Sequence, residues 1–342
     1  MKKLLTFLLV AIIALGGLTG CSSNTDNTNS TNSTNSTNST DSTESKIYKI
    51  GIILPMDHPS LNQIHETIES ELKAMDFGDN TEIEIDFENA NGDMSLLPTI
   101  MQDMLSDGVN MLVPIATPTA QAAIASTTSV PIVFSAVSNP IEAGLVTSFE
   151  ETTGNITGVS NSIAIEDIFK LANELTPEVK VFGFIYNSSE INSSTGIKRA
   201  KEYCDANGIE YKEATITGTA DLQQVASSLV GEVDAFFTPN DNTVASAMAT
   251  YMQIAMDSNI PTYVGADSMV ADGALATVGI DYTVLGKQTA QMVSRIIKGE
   301  TIKENSVEQI AEYSKMINIS TAKDLGLNIS DELMKEFVII GE

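Results

Sequence analysis

The chain has 342 residues, with 18 Lys and Arg against 45 Asp and Glu, a formal net charge of −27. A balance of that sign disfavours nucleic acid and anionic lipid headgroups as direct partners, and solubility at a crowded surface accounts for it. Two cysteines and two histidines leave little material for disulfide or metal chemistry, so the fold must stand on its core.

Lys2 and Lys3 precede an apolar stretch, 4–15, that ends at Leu18-Thr19-Gly20-Cys21. This is the layout of a secretory signal, and the stretch is too short to span a bilayer comfortably. Leu-Thr-Gly-Cys resembles the bacterial lipobox, whose cysteine is lipidated and becomes the first mature residue. Residues 1–20 are then a lipoprotein signal peptide, and Cys21 anchors the protein to the membrane. Cys204 keeps no partner for a disulfide. Residues 22–45 are Ser, Thr and Asn with a few acids and no apolar side chain, too polar to offset ordering entropy. With Cys21 they form a disordered tether, 21–45, spanning roughly 27 Å end to end. The expected location is extracytoplasmic, on the outer face of a bacterial membrane such as a Gram-positive cell surface.

The folded part begins at Lys46. Residues 47–54 read as a buried strand, 56–77 as a helix with Ile64, Ile68 and Leu72 on one face, and 82–88 as an alternating strand. A helix over 96–105 leads to an apolar strand at 111–116. There Thr117-Pro118 reads as a helix N-cap with proline at the first helical position. After 119–129, Val130-Pro131 restarts a strand at 132–134. The βα alternation predicts a parallel sheet wrapped by helices. At 154–159 the cycle restarts: helix 166–175, strand 181–186, helix 193–207, strand 211–216, helix 222–230. Ala235-Phe236-Phe237 then breaks at a second Thr-Pro, Thr238-Pro239. A helical stretch over 240–259 follows, and Ile260-Pro261 restarts a strand at 263–265. A strand at 273–279, a helix at 283–298 and a tail with a short strand and helix complete the chain. The fold class is α/β, with two Rossmann-like lobes of parallel strands joined by a multi-strand hinge. Lobe 1 takes 46–158 plus about 281–312, and lobe 2 about 159–280 plus 313–342.

Two strand–Thr-Pro–helix units about 120 residues apart imply strand ends facing each other across a cleft, with helix N-termini in it. Catalysis is largely excluded. No Gly-x-Ser-x-Gly elbow, phosphate loop or dinucleotide fingerprint is present. His58 and His65 lack the four-residue spacing of a helical metal pair. No metal or cofactor is expected, and the protein reads as a binder rather than an enzyme. The two arginines, Arg199 and Arg295, lie in predicted helices, and lysines avoid the strand ends. A phosphate or dicarboxylate ligand would want such a cation, whereas a single carboxylate can be held by helix amides and hydroxyls. Ala116, Thr117 and the amides through Gln121 offer this, with Ser135 and Ala136 at the next strand end. From the other lobe come Tyr186, Asn187, Glu190, Asn192, Ser193, Asn240, Asp241 and Asp267. Asp241 and Asp267 suit an ammonium group, although either acid could instead cap a helix or a turn. His58, just past the first strand, could face the cleft or its flank.

His58-Pro59, Asn89-Ala90-Asn91-Gly92-Asp93, the segments 115–123, 131–137 and 154–160, Tyr186-Asn187, Glu190 with Asn192-Ser193, Asp234-Ala235, Asp241-Asn242 and 273–277 carry a resemblance. From about Lys46 to the C-terminus the chain is similar to the ABC-transporter substrate-binding proteins of the tryptophan/tyrosine type (TrpX-like). The resemblance implies a type I periplasmic-binding-protein fold that closes on a free amino acid, aromatic in several members, and delivers it to an ABC permease. It places the ring near Pro55, Met56, His58 and Pro59. Ser188 stands where the family often has proline, and Asn139 where Asp is frequent, which leaves ligand identity open. The protein is expected to be monomeric. The alternatives are an aliphatic amino acid, a nucleoside or a sugar in the same fold, or a role as a surface adhesin.

Overall fold

The computed structural model describes residues 46–78, 81–152 and 154–341, so the signal peptide, Cys21 and the tether lie outside the described residues. The first half runs β1 (Lys46–Leu54), α1 (Pro59–Ala74), β2 (Thr81–Asn89), α2 (Leu97–Ser106), β3 (Met111–Pro114), α3 (Thr117–Ser126), β4 (Ile132–Ser135) and β5 (Ile156–Ser160). Next come α4 (Ile165–Leu175), β6 (Val181–Asn187), α5 (Ile191–Asn207), β7 (Glu210–Ile216), α6 (Leu222–Leu229) and β8 (Ala235–Thr238). They are followed by α7 (Asn242–Ala245), α8 (Met248–Asp257), β9 (Thr262–Val264), α9 (Asp267–Ala271), β10 (Ala276–Gly279) and α10 (Tyr282–Ile297). The chain closes with β11 (Glu308–Gln309), β12 (Ser314–Asn318), α11 (Ile319–Asp324), α12 (Asp331–Met334) and β13 (Phe337–Ile340).

Two sheets result. The first has the order β11-β5-β4-β3-β1-β2 and is parallel throughout. The second has the order β13-β12-β10-β9-β8-β6-β7, with β12 antiparallel to β10. Strands covered by helices on both faces must be apolar throughout rather than alternating, and Ile50, Ile52, Ile53 and Leu54 of β1 have no exposed surface. In the second lobe Phe169 of α4 packs against Phe182, Phe184 and Phe237, at ring-centroid separations of 4.9, 6.1 and 4.9 Å. Helix α10 returns to the first lobe and packs along α1 and against β4 and β5. The chain therefore passes between lobes after β5, after β10 and after β11.

Several local expectations are corrected. The first helix starts at Pro59 rather than Met56. Thr117 is the first residue of α3, and Ala116 takes the N-cap position with φ of 75°. Thr238 is not a cap either: it ends β8, and its hydroxyl donates to the Ile185 carbonyl at 2.9 Å. Asp241 caps instead, its Oδ1 accepting from the Val244 amide at 2.8 Å. The helix expected over 240–259 is two helices, α7 and α8, broken around Ser246-Ala247. The segment 154–159 is not merely a boundary, because β5 begins within it, at Ile156, and pairs with β4. Gly158 is what permits that pairing: a Cβ there would sit 2.1 Å from the Phe134 carbonyl oxygen. The tail holds two strands and two short helices rather than one of each.

Candidate functional site

Residues that follow the C-terminal ends of strands in both sheets converge on one small cavity. The first lobe supplies His58 after β1, Thr117 after β3, Ala136 and Ser138 after β4, and Asn161 after β5, with Ser60 and Leu61 from α1. The second supplies Asn192 from α5, Asn240, Asp241 and Asn242 after β8, Ala245 from α7, and Ala266 and Met269 around the start of α9. Tyr282 enters after β10. This is the crevice outside the carboxyl ends of parallel strands where α/β proteins hold ligands. Ala116 and Ala136 both have positive φ, 75° and 57°. Such a conformation costs an alanine on the order of 1 kcal/mol and gathers at functional turns.

The lobes are closed on one another. Ser60 Oγ meets Ser268 Oγ, Asn240 Nδ2 donates to Ser138 Oγ, and His58 Nε2 stands 3.3 Å from Asn242 Oδ1. Farther out, the Thr195 hydroxyl donates to Glu142 Oε2 at 2.6 Å.

Two buried acids shape the second-lobe wall. Asp241 is 1% exposed; its Oδ2 accepts from the Asn187 amide at 2.6 Å and its Oδ1 from Val244. Burial first, and then the neighbouring charge of Glu190, push its carboxyl up to about 7, and no lysine or arginine acts on it. Glu190 is saturated by the protein. Its Oε2 accepts from Asn192 Nδ2, from the Asn242 amide and from Asn242 Nδ2, and its Oε1 accepts from the Thr243 amide and hydroxyl. Glu190 thus ties α5 to the start of α7 and orients Asn192 and Asn242. Five buried side-chain polar atoms lack a partner among the described residues, and three of them belong to residues that line the cavity: His58 Nδ1, Asn192 Oδ1 and Asn240 Oδ1. Buried polar atoms in proteins are overwhelmingly paired, so their concentration here leaves acceptors available to a bound molecule.

Of the residues singled out in the sequence, the cavity gathers His58, Thr117, Ala136, Asn192, Asn240 and Asp241. Met56, Gln121, Asn187 and Glu190 instead line an open groove of about 1780 Å³. Pro59 borders a further depression with Asp57 and Met248. Ala116 holds the strand end, its amide donating to the Ser135 carbonyl. Ser135 is fully buried and bonded to the Thr289 hydroxyl at 2.8 Å. Ser193 is buried beside Asn192, and the Tyr186 hydroxyl donates to Glu213 at 3.0 Å on an exposed face. Asp267 opens α9 and accepts from the Ser268 amide, with burial raising its carboxyl to about 6. Ser60, Leu61, Asn161, Ala245, Met269 and Tyr282 were not anticipated. Tyr282 stands just after a strand end, as Thr117 does, and that rule would have found it. Asn161 was hidden because glycines masked β5.

A family model described as ABC transporter substrate binding protein matches residues 49–338. The chain is 35% identical over 278 residues to a "Tyrosine-binding protein" of Clostridioides difficile, covering 81% of each chain. It superposes with a TM-score of 0.83, at 32% identity, on an ABC domain from Streptococcus pneumonia in complex with L-Trp, covering 86% of this chain and all of that one. On the ligand-free, open structure of a substrate-binding protein with adhesive properties from Clostridium difficile the TM-score is 0.66, at 34% identity, covering 86% and 99%. The identities are nearly equal, so the poorer superposition on the open form accords with the closed lobes seen here.

Proposed function

Because the chain belongs to the ABC transporter substrate-binding proteins, we propose that its ligand is an aromatic amino acid, tyrosine, tryptophan or phenylalanine, taken as a zwitterion between the lobes. The observation that carries this reading is the wall of acceptors without a cation. Asn192 Oδ1 and Asn240 Oδ1 are buried without donors, and Asp241 belongs to the same lining. An ammonium group brings three N–H donors and a positive charge, which answers all three. The ligand carboxylate goes to the Thr117 hydroxyl and the start of α3, where helix amides are unsatisfied and the dipole is positive. Leu61, Ala245 and Met269 supply an apolar wall for the side chain, and burying a large apolar side chain contributes about 1.5–3 kcal/mol. The relatives named for tyrosine and solved with L-Trp support an aromatic side chain.

A ligand that contacts both walls favours the closed state by the difference in contacts it makes, and closure is what a membrane permease can read. Substrate-binding proteins of such transporters work outside the cytoplasm at the membrane. For this chain the lipobox-like Leu18-Thr19-Gly20-Cys21 supports attachment through a lipid on Cys21, and the reading is completed by a monomer at a Gram-positive cell surface. The arrangement suits holding rather than transforming a ligand: both carboxylates are occupied by backbone and amide donors.

The test is calorimetry of ligand-stripped protein against the twenty amino acids. The chain has no tryptophan, so indole emission from added tryptophan gives an independent reading. One-to-one binding of an aromatic amino acid, lost on N-acetylation, is expected. Silence toward every amino acid would sink the proposal.

A further inference from the structure

Hydrogen-bond logic running through the second-lobe wall fixes the tautomer of His58. Glu190 Oε2 can only accept from the Asn242 side chain, so Asn242 presents Nδ2 to Glu190 and turns Oδ1 toward His58. An amide oxygen cannot donate, so the His58 nitrogen beside it, Nε2, must carry the proton. Burial holds His58 down at about 4, leaving the ring neutral with one proton. That leaves Nδ1 as a bare lone pair, an unpartnered buried atom on a residue that lines the cavity. His58 itself is 7% exposed.

Strand order locates this lone pair along the cavity. In the first lobe Asn161 follows β5 and His58 follows β1, with β4 and β3 between. Three strand spacings separate the ends, roughly 14 Å. Asn161 shares its end with Ser138 and its partner Asn240, whereas His58, bonded to Asn242, stands two residues before Ser60 and three before Leu61, the first apolar lining residue of α1. With the ammonium toward Asn240 and the carboxylate at Thr117, after β3 and so between the two ends, the side chain is left to the His58 end.

Building on the amino-acid reading, we propose that His58 Nδ1 is a specificity-determining acceptor that requires a hydrogen-bond donor on the ligand's ring, so that a phenol O–H or an indole N–H is bound and an unsubstituted phenyl ring is rejected. A phenyl ring would bury the lone pair without a partner, and a buried unsatisfied acceptor weakens binding by about tenfold to a hundredfold.

The experiment titrates the protein with tyrosine, tryptophan, phenylalanine and O-methyltyrosine, alongside a His58→Leu variant. Phenylalanine and O-methyltyrosine are expected at least tenfold weaker than the better of tyrosine and tryptophan. In His58→Leu the donor-bearing ligand should weaken by a similar factor while phenylalanine holds or improves. Phenylalanine bound by the wild type within threefold of the better ligand overturns the inference and leaves the amino-acid reading standing. A variant that weakens phenylalanine as much as tyrosine also overturns it, since the lone pair would then serve the ammonium. No aromatic amino acid bound at all fells both. With only two histidines in the chain, ¹⁵N-histidine NMR reads the tautomer in the wild type directly. An unprotonated Nδ1 that shifts on adding the preferred ligand supports the assignment, and a protonated Nδ1 refutes it.

Discussion

Lowering the pH should weaken amino-acid binding through a single group, Asp241. Its carboxyl is raised to about 7 in the unliganded protein, first by burial and second by the charge of Glu190. Because the folded value lies above the ordinary one of 3.8, the folded protein holds a proton that the unfolded chain has released. Asp241 therefore subtracts stability progressively as pH rises from about 4 through 7. An ammonium ligand reverses the preference: it favours the carboxylate and must expel that proton to bind. For a free-state value of about 7 and a liganded value below about 4, the ionised fraction falls from roughly three-quarters at about pH 7.5 to roughly 3% at about pH 5.5. Affinity should fall about 25-fold over that range, on the order of 2 kcal/mol. His58, already lowered to about 4 by burial, does not titrate there. Asp267, raised to about 6, does titrate but lies off the cavity lining, so an Asp241→Asn variant separates the two. That variant should bind at least tenfold more weakly and show a flat profile. Calorimetry near pH 6 in buffers of different ionisation enthalpy should report about 0.9 proton released per ligand bound. PH-independent affinity with no proton release would refute an ammonium at Asp241.

Thr117→Ala should weaken binding about tenfold with little change in thermal stability, since Thr117 lines the cavity and one lost bond to a charged group costs about 1.5–3 kcal/mol; unchanged affinity would move the ligand carboxylate elsewhere. Glu190→Gln should reduce affinity without touching the ligand, because an amide cannot accept all five of the bonds that hold Asn192 and the start of α7. A lower melting temperature, by about 1–3 kcal/mol of stability, should accompany it, and a variant equal to wild type in both would remove its positioning role. Gly265→Ala would place a Cβ 2.4 Å from the Asn240 amide nitrogen, so it should cost about 1–3 kcal/mol and also weaken binding by shifting Asn240; a melting curve that overlays wild type would contradict this. Cys21→Ser should release the protein from membranes into the medium, as fractionation would show, and continued membrane retention would end the lipid-anchor proposal.

The two-lobe α/β fold was legible because its strands carry a plain signal. Parallel strands covered on both faces are unbroken apolar runs, so Ile50 to Leu54 or Ala235 to Phe237 can hardly be anything else. Where backbone approach replaces side-chain pattern, the signal fades. β5 is punctuated by Gly158, whose lack of a side chain lets it pair against Phe134, and glycine read locally suggests a boundary instead of a strand. The two-residue β11 has too few positions for any period and exists by pairing with β5.

The roles of individual polar residues were harder to read, and the two acids of the second lobe show why. Asp241 and Glu190 both follow strand ends in polar surroundings, and spacing cannot rank them. What separates them is which donors each reaches after folding. Glu190 meets five donors from three residues and becomes the fixed point around which Asn192 and Asn242 are oriented. Asp241 keeps one backbone donor on each oxygen and the Ser193 hydroxyl, and a carboxylate can accept about four bonds, so it alone of the pair has capacity left for a ligand. The unused capacity also explains the asymmetry of the cavity. Glu190 exports its charge as orientation, through Asn242 to the His58 ring, while Asp241 presents its charge to the cavity itself. On the proposed reading, one acid determines what the ring end will accept and the other what the amino end will accept. Exchanging either for an uncharged residue should change a different part of the ligand profile.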